Sequence, residues 1–330
     1  MSSDRTGSRH DMKIALTIAR RLAVGSLVLL AVSFVVFVGI ESLPGDAALA
    51  TLGHDATPES IAAFRREFAL DRPVLLRYQE WIAGFFAGDL GRSIPSGLPV
   101  SDVIGPRALN TLVLALTTVT FLVPLALFLG AIAAIKRDGF WDHLIGSATL
   151  GLIAVPEFVV GTLLALFVGV KLGWLPPVSL IDTSVPFWSR PPEILVLPIL
   201  TLLAASVAQT SRMVRACLID ALESDYVMAA ELRGVPRWQV LALHAFPNAL
   251  GPTLQLMALN VAWLMGGVVV VELVFQYSGI GSALVTAVST QDLPTVQALV
   301  MFFATIFILL NLLVDIGVDL LNPQVRRGGA

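Results

Sequence analysis

Charged residues and cysteine are both scarce in this chain. Asp, Glu, Lys and Arg make up 14% of its 330 residues, whereas an ordinary soluble domain has about 25%. Cys217 is the sole cysteine, which excludes an intramolecular disulfide and a cysteine-based metal cluster. Hydrophobic residues reach 56% and the mean hydropathy is +0.83, so the composition is that of an integral membrane protein.

The signatures of common catalytic and nucleotide-binding sites are also missing. No G-x-x-x-x-G-K-[ST] phosphate loop occurs, so the chain is not expected to bind ATP itself. H-E-x-x-H and G-x-S-x-G are absent, and the four His residues are too scattered to suggest a metal site. Basic and aromatic residues do not cluster as nucleic-acid binding would require. We therefore expect no catalytic residue, no metal, no cofactor in this chain and no nucleic-acid partner.

Six apolar segments are long enough to cross a bilayer core of roughly 30 Å, which takes about 20 helical residues. They are 22–40, 108–135, 144–170, 194–211, 249–271 and 296–314. Six spans place both termini on one side, and most Lys and Arg residues near the span ends lie on that side too. The positive-inside rule then assigns both termini to the cytoplasm. The predicted fold is an all-α integral membrane protein with six transmembrane helices.

The sizeable polar segment between the first two spans, 42–107, is predicted to be extracytoplasmic. A helix is expected over 58–68, with Glu59 in its first turn. Tyr78 and Trp81 among aliphatic residues suggest a small cap on the membrane surface, although from the residues alone an ordered loop that packs the bundle explains them better. The predicted organisation is a cytoplasmic segment at 1–21, a first transmembrane helix at 22–41, the cap at 42–107, five transmembrane helices at 108–323 and a cytoplasmic tail at 324–330.

A polar island of helical character, residues 224–249, interrupts the apolar runs on the predicted cytoplasmic side. Ser224 or Asp225 can cap the N-terminus of a first short helix. Gly234 suits the left-handed residue that ends a helix, and Pro236 suits the first position of the next one. The island therefore predicts two short helices with a turn between them.

The polar island is predicted to have an apolar and a charged side. Val227, Ala230 and Leu232 provide the apolar side, and the second helix is expected to end or kink at Pro247. The charged side carries Asp225, Glu231, Arg233 and Arg237. Spacing alone is equally compatible with an interfacial loop that only connects two spans.

Several motifs in and after the polar island resemble a known family. Ala229-Ala230, then Gly234, then a hydrophobic helix that ends in Pro247-Asn248 are similar to the "EAA" loop of bacterial ABC importer permeases. Asp225-Tyr226-Val227 before them, and Gly-Gly, Val-Glu and Phe-x-x-x-Gly-x-Gly after them, resemble more narrowly the peptide/nickel permeases. Met228 stands where the motif has Glu, which puts a salt bridge at that position in doubt.

The resemblance runs from about residue 10 to 327 and implies a type I ABC importer permease of the bacterial inner membrane. Its loop is expected to dock on a cytoplasmic ATPase. The coupling residues it implies are Asp225, Tyr226, Ala229, Ala230, Glu231, Arg233, Gly234, Arg237, His244 and Pro247. The partners it implies are a second homologous permease, two ABC ATPases that bind ATP and Mg²⁺, an extracytoplasmic solute-binding protein and membrane lipid.

Polar side chains within the spans are candidates for a translocation path, because burying them in lipid is costly unless they face protein or water. The candidates are Glu157, Gln209, Gln255 and Asn260. Gln255 and Asn260 suit hydrogen bonds between helices better than contacts with cargo, and Glu157 suits a structural role equally well. Glu272, near a span end, is expected to reach the interface or to pair with an Arg.

The sequence thus predicts the permease subunit of an ATP-driven, binding-protein-dependent importer that is not itself an enzyme. Di- and oligopeptides are the cargo class that the resemblance favours. An ATP-independent secondary transporter or channel is the alternative, and the lack of a persuasive repeat between 1–165 and 166–330 counts against it. Cargo among peptides, nickel chelates, oligosaccharides and opines stays open, as does the identity of the paired subunits.

Overall fold

The structure, a computed structural model, describes residues 4–41, 52–53, 56–67, 71–181 and 191–321. In this part of the chain the regular structure is helical, apart from an antiparallel bridge between Arg92 and Pro99. The helices are α1 Asp4–Glu41, α2 Pro58–Glu67, α3 Val74–Phe86, α4 Val100–Ile135, α5 Phe140–Ala154, α6 Glu157–Leu164, α7 Glu193–Leu222, α8 Asp225–Leu232, α9 Arg237–Gln239, α10 Phe246–Val274, α11 Ile280–Ser289 and α12 Leu293–Leu321. Two π-helical segments, Ala165–Lys171 and Val240–Ala245, continue α6 and α9.

The chain folds as two compact units. One comprises Met1–Arg107 with Ala283–Leu312, and the other comprises Ala108–Ser282 with Leu313–Ala330. Helices α4 and α12 contribute residues to both units. The polar island lies in the second unit.

In the first unit, aromatic contacts join α3 to α1. The Tyr78 hydroxyl lies 2.8 Å from the Ser33 hydroxyl, and the Tyr78 ring meets Phe34 and Phe37 edge-on at 5.4 Å. The helix predicted over 58–68 is confirmed as α2, with Glu59 in its first turn, although its last predicted residue lies outside the described part.

The segment before α4 is fixed to the residue that precedes α12. The buried Asp292 carboxylate accepts a hydrogen bond from Ser93 Oγ at 2.7 Å and another from the Ile94 N–H at 3.0 Å. Ile94 also packs with Phe64 of α2. This unit therefore combines a polar anchor with a small apolar core.

In the second unit, the main apolar core lies among α4, α7 and α10. Its buried members include Leu114, Leu202 and Val268. Helices α4 and α7 approach closely at Gly130, where an added Cβ would lie 2.5 Å from Val214 Cβ and 2.6 Å from the Ser211 carbonyl oxygen. Only glycine fits at this crossing.

The third predicted span, 144–170, does not form one straight helix. Helices α5 and α6 meet at an angle of 98° across a break at Val155 and Pro156. Proline disfavours the helical region for the residue before it, and Val155 is extended, with φ −98° and ψ 124°. Pro156 therefore divides the predicted span into two helices.

The described helices agree in part with the six predicted spans. Three are long and apolar enough to cross a membrane: α4, α7 and the Leu293–Leu312 part of α12; the bent pair α5–α6 makes a fourth if it counts as one span. Helices α1 and α10 coincide with the first and fifth predicted spans. Their described apolar stretches, Ala23–Gly39 and Leu264–Val274, are shorter.

Candidate functional site

The polar island begins with an N-terminal cap that the backbone provides. Ser224 is extended, with φ −75° and ψ 151°, and its carbonyl accepts the N–H groups of Val227 and Met228 at 3.1 Å. Its hydroxyl does not cap the helix as predicted, because it donates instead to the Ala221 carbonyl at the end of α7. Asp225 is the first residue of α8 rather than its cap.

The end of α8 is a Schellman motif built on Gly234, as the sequence predicted. Gly234 has φ +77°, and its N–H donates to the Glu231 carbonyl at 2.9 Å. The N–H of Val235 donates to the Ala230 carbonyl at 3.2 Å. These two bonds satisfy carbonyls that the helix end would otherwise leave free, and they require a left-handed residue between them.

One side of the polar island is packed onto the ends of α4 and α7. Val227 and Ala230 are buried in a cluster with Ala134 and Leu218, as the predicted apolar side requires. Leu232 was assigned to this side, and that assignment is wrong because 84% of the residue is exposed. It lies five positions after Val227, about 140° around the helix from it, whereas positions three or four apart share a face.

The opposite side of the polar island presents large apolar side chains among charges. Leu232 is 84% exposed, and Trp238 and Leu243 are each 66% exposed. We call the residues on this side the exposed face: Tyr226, Met228, Leu232, Trp238 and Leu243, with the charged residues Asp225, Glu231, Arg233 and Arg237. Exposed aromatic and aliphatic side chains on a polar segment indicate a surface that another molecule covers.

Of the large side chains of the exposed face, Tyr226 was a predicted coupling residue, whereas Met228, Leu232, Trp238 and Leu243 were not. Two predicted residues, Ala229 and Ala230, are half-buried and buried and so support the island rather than face outward. A signal was available in the sequence. Leu232 and Trp238 are large apolar residues that break the three-to-four spacing of the buried positions.

The second helix was expected to end or kink at Pro247, and it does not end there, because the chain continues through Pro247 as a helix. The segment Arg237–Gln239 passes through the π-helical turn Val240–Ala245 into α10, which holds Pro247 in its first turn. Because proline has no N–H and clashes with the carbonyl four residues earlier, the wider turn before it relieves the conflict. His244 lies half-buried in this turn. The exposed face is thereby joined to α10 without a break.

The predicted path residues do not share one environment. Glu157 is half-buried at the start of α6, and its carboxylate lies against α10, where a Cβ added to Gly267 would come within 2.4 Å of Oε2. Asn260 is buried and its amide donates to Met213 Sδ of α7 at 3.1 Å, in keeping with a bond between helices. Gln209 is exposed on α7, and the side chain of Gln255 lies outside the described residues.

Glu272 is a buried carboxylate whose surroundings the sequence did not predict. It is 0% exposed, so it does not reach the interface as expected. Thr111 Oγ1 donates to Oε1 at 2.5 Å, and the Ser282 N–H donates to Oε2 at 3.0 Å. Thr111 Oγ1 in turn accepts the Ile280 N–H at 2.9 Å. Glu272 therefore holds the turn between α10 and α11 against the start of α4.

Metal ligation finds no support in the described part of the chain, which holds no group of three or more His, Cys, Asp or Glu side chains placed to share an ion. The described part of the second unit thus combines the exposed face, a bent pair of helices and polar groups among the packed helices.

Comparisons with known proteins agree with this description. Residues 126–327 match the family described as binding-protein-dependent transport system inner membrane component, and residues 14–100 match its N-terminal companion family. A protein of Brucella abortus (strain 2308) named as a peptide transport system permease is 34% identical over 312 residues, 94% of this chain and 98% of that protein. The glutathione transport system permease protein GsiC of Escherichia coli (strain K12) is 36% identical over 295 residues, 89% of this chain and 94% of that protein. The chain therefore belongs to the binding-protein-dependent transport system inner membrane components, and it is a permease component of an ABC importer.

Proposed function

We propose that this chain is one of two permease subunits of an ATP-driven importer, and that the exposed face of the polar island docks on a cytoplasmic ATPase. The observation that carries the proposal is the two-sided packing of α8. Val227 and Ala230 fix one side to the ends of α4 and α7, whereas Leu232 and Trp238 stand out on the other. A rigidly held surface with exposed apolar side chains can bind a partner and transmit the partner's motion to the helices on which it packs.

The same packing supplies a route for motion into the bundle. The polar island is continuous with α10 through the π-helical turn, and its first helix, α8, follows α7 after only Glu223 and Ser224. Movement of a docked ATPase would therefore turn α7 and α10 together. The importer would alternate between inward- and outward-facing states that nucleotide binding biases, while ATP and Mg²⁺ are held by the ATPase subunits.

The topology we propose has six spans with both termini in the cytoplasm of a bacterial cell. The distribution of Lys and Arg supports this orientation, and it places the polar island on the ATPase side. The segment 42–107 would then face a solute-binding protein outside the membrane. A second, homologous permease would complete the path, because six spans are too few to enclose it.

The cargo we propose is a di- or oligopeptide. The support is chemical and comes from relatives, since one is named for peptide transport and another for transport of glutathione, itself a tripeptide. Glu157 at the break between α5 and α6, and Asn260 and Gln255 on α10, are the residues we propose to line the path. Gln209, which is exposed on α7, completes this set.

The decisive experiment is affinity purification of the chain from its native membrane in mild detergent, with identification of what accompanies it. We expect a second permease and ABC ATPase subunits. Uptake of labelled peptide into proteoliposomes made from that complex should require hydrolysable ATP. Recovery of a homo-oligomer without an ATPase, or uptake that proceeds without ATP, would overturn the proposal in favour of a secondary transporter or channel.

A further inference from the structure

Two ion pairs tie the turn between α4 and α5, residues 136–139, and the first turn of α5 to α7 and to the residue that follows α7. Arg215 of α7 donates from Nε and from Nη2 to the two carboxylate oxygens of Asp142, each at 2.7 Å. Closer to the polar island, Arg137 of the turn pairs with Glu223, the residue that follows α7. Both pairs lie in the second unit.

The Asp142–Arg215 pair is built unlike an ordinary surface ion pair. The Asp142 side chain is 8% exposed and that of Arg215 is 33% exposed, whereas both partners of the Arg137–Glu223 pair are about half exposed or more. Asp142 also accepts the Asp138 N–H at 3.0 Å, which holds a residue with φ 60° in the turn. The bidentate fork fixes direction as well as distance. The carboxylate further lies in the first turn of α5, where the helix dipole favours it.

The pair stands between the polar island and the broken span. Arg215 lies seven residues, about 10 Å, before the end of α7. On the other side, α5 leads from Asp142 to the break at Val155, after which Glu157 begins α6. If α5 follows a displacement of α7, that displacement is therefore transmitted to the break and to Glu157.

We propose that Asp142 and Arg215 are positioning residues that make α5 move with α7, so that nucleotide-driven motion of the polar island reaches the α5–α6 break. This inference rests on the proposed function, because the motion must come from a docked ATPase. Without the pair, α5 and α7 keep their other contacts, which resist separation but do not fix the position of one helix along the other. The pair supplies the resistance to sliding, since a bidentate bond breaks when one helix shifts along the other.

The test uses a single cysteine as a reporter at the break. Phe158, next to Glu157, is exposed, so Phe158→Cys in a Cys217→Ser background can be labelled with a maleimide. The complete complex is labelled without nucleotide and then with ATP and vanadate. We expect the labelling rate to change with nucleotide, and we expect Asp142→Asn to reduce that nucleotide-dependent change about tenfold while the ATPase stays bound.

Matched controls use charged residues of α7 that are exposed and take no part in the pair. Asp220→Asn and Arg212→Lys should leave the nucleotide response unchanged, whereas Arg215→Lys, which keeps the charge but loses the fork, should reduce it. The double variant Asp142→Asn with Arg215→Gln should respond no worse than Asp142→Asn alone, because the two residues act through one contact.

Each outcome decides between explanations. A full nucleotide response in Asp142→Asn, or strictly additive losses in the double variant, would overturn the inference. So would a reporter complex that binds its ATPase but shows no nucleotide response, because α5 and α6 would then not follow the polar island. If both pair variants fail to assemble, the pair serves folding and the inference is wrong. If the unaltered complex holds no ATPase, the proposed function itself fails.

Discussion

Substitutions of Gly234 should weaken docking of the ATPase, and the size of the effect should depend only on how well the new residue adopts the backbone conformation at this position. No atom lies within 4 Å of a Cβ added at Gly234, so a side chain there meets open space and adds no clash. The cost arises because φ is +77°, a region that residues other than glycine rarely adopt. The predicted order of docking strength is Gly, then Asn, then Ala, then Pro.

The magnitudes follow from the Schellman geometry. Alanine in the left-handed region costs about 1–2 kcal/mol of conformational free energy. Where other conformations of the turn are close in free energy to the native one, this cost lowers the population of the native turn about 5- to 30-fold. Asparagine tolerates this region better than alanine does. Proline is worst, because its φ is fixed near about −65° and because it removes the N–H that donates to the Glu231 carbonyl at 2.9 Å.

The assay compares ATPase recovered with the affinity-purified chain and ATP-dependent uptake by the same preparation. Gly234→Pro should lose both while the chain remains inserted in the membrane. Gly146→Ala is the matched control: Gly146 lies within α5 with no atom within 4 Å of an added Cβ and no positive φ, so alanine should be tolerated or slightly stabilising. Unchanged docking in both Gly234→Ala and Gly234→Pro would refute the role of the turn.

Three further substitutions test other parts of the structure. Leu232→Glu should lower ATPase recovery several-fold without changing the thermal stability of the detergent-solubilised chain, whereas Val227→Ala should lower stability by about 1 kcal/mol, as for loss of buried methyl groups; equal effects would contradict the two-sided packing. Gly267→Ala should reduce uptake because its Cβ would come within 2.4 Å of Glu157 Oε2, while Gly266→Ala, with open space around the added Cβ, should not; identical uptake by both would contradict the contact. Glu272→Ala should lower thermal stability by about 1–3 kcal/mol, because two buried donors lose their acceptor; an unchanged melting temperature would contradict that role.

Features that depend on local backbone rules could be predicted from the sequence. Gly234 ends α8 because no other residue takes a positive φ so readily, and α2 begins and ends close to its predicted bounds. The burial of Val227 and Ala230 follows from their spacing of three. The motifs of the polar island also identified the family, which the comparisons confirmed.

Features that depend on packing between distant segments could not be predicted in this way. The choice made by the Ser224 hydroxyl is a local exception, since its partner, the Ala221 carbonyl, lies three residues earlier, but the sequence allowed two partners. Whether the helix breaks at Pro156 depends on whether the surrounding helices leave room for a 98° bend. The position of Glu272 near a span end led to the prediction that it reaches the interface or pairs with an Arg. Its surroundings are instead set by hydrogen bonds from Thr111 and Ser282, which are 161 and 10 residues away in the sequence.

The most direct test of the central claim is a crosslink from the exposed face to the ATPase. Cys217→Ser removes the sole cysteine, so Leu232→Cys in that background gives one thiol on a residue that is 84% exposed. A short bismaleimide applied to native membranes should yield an adduct of this chain with an ATPase subunit. Leu75→Cys, exposed on α3 in the other unit, should yield no such adduct. An intact complex that gives no ATPase adduct at residue 232 would contradict docking at the polar island.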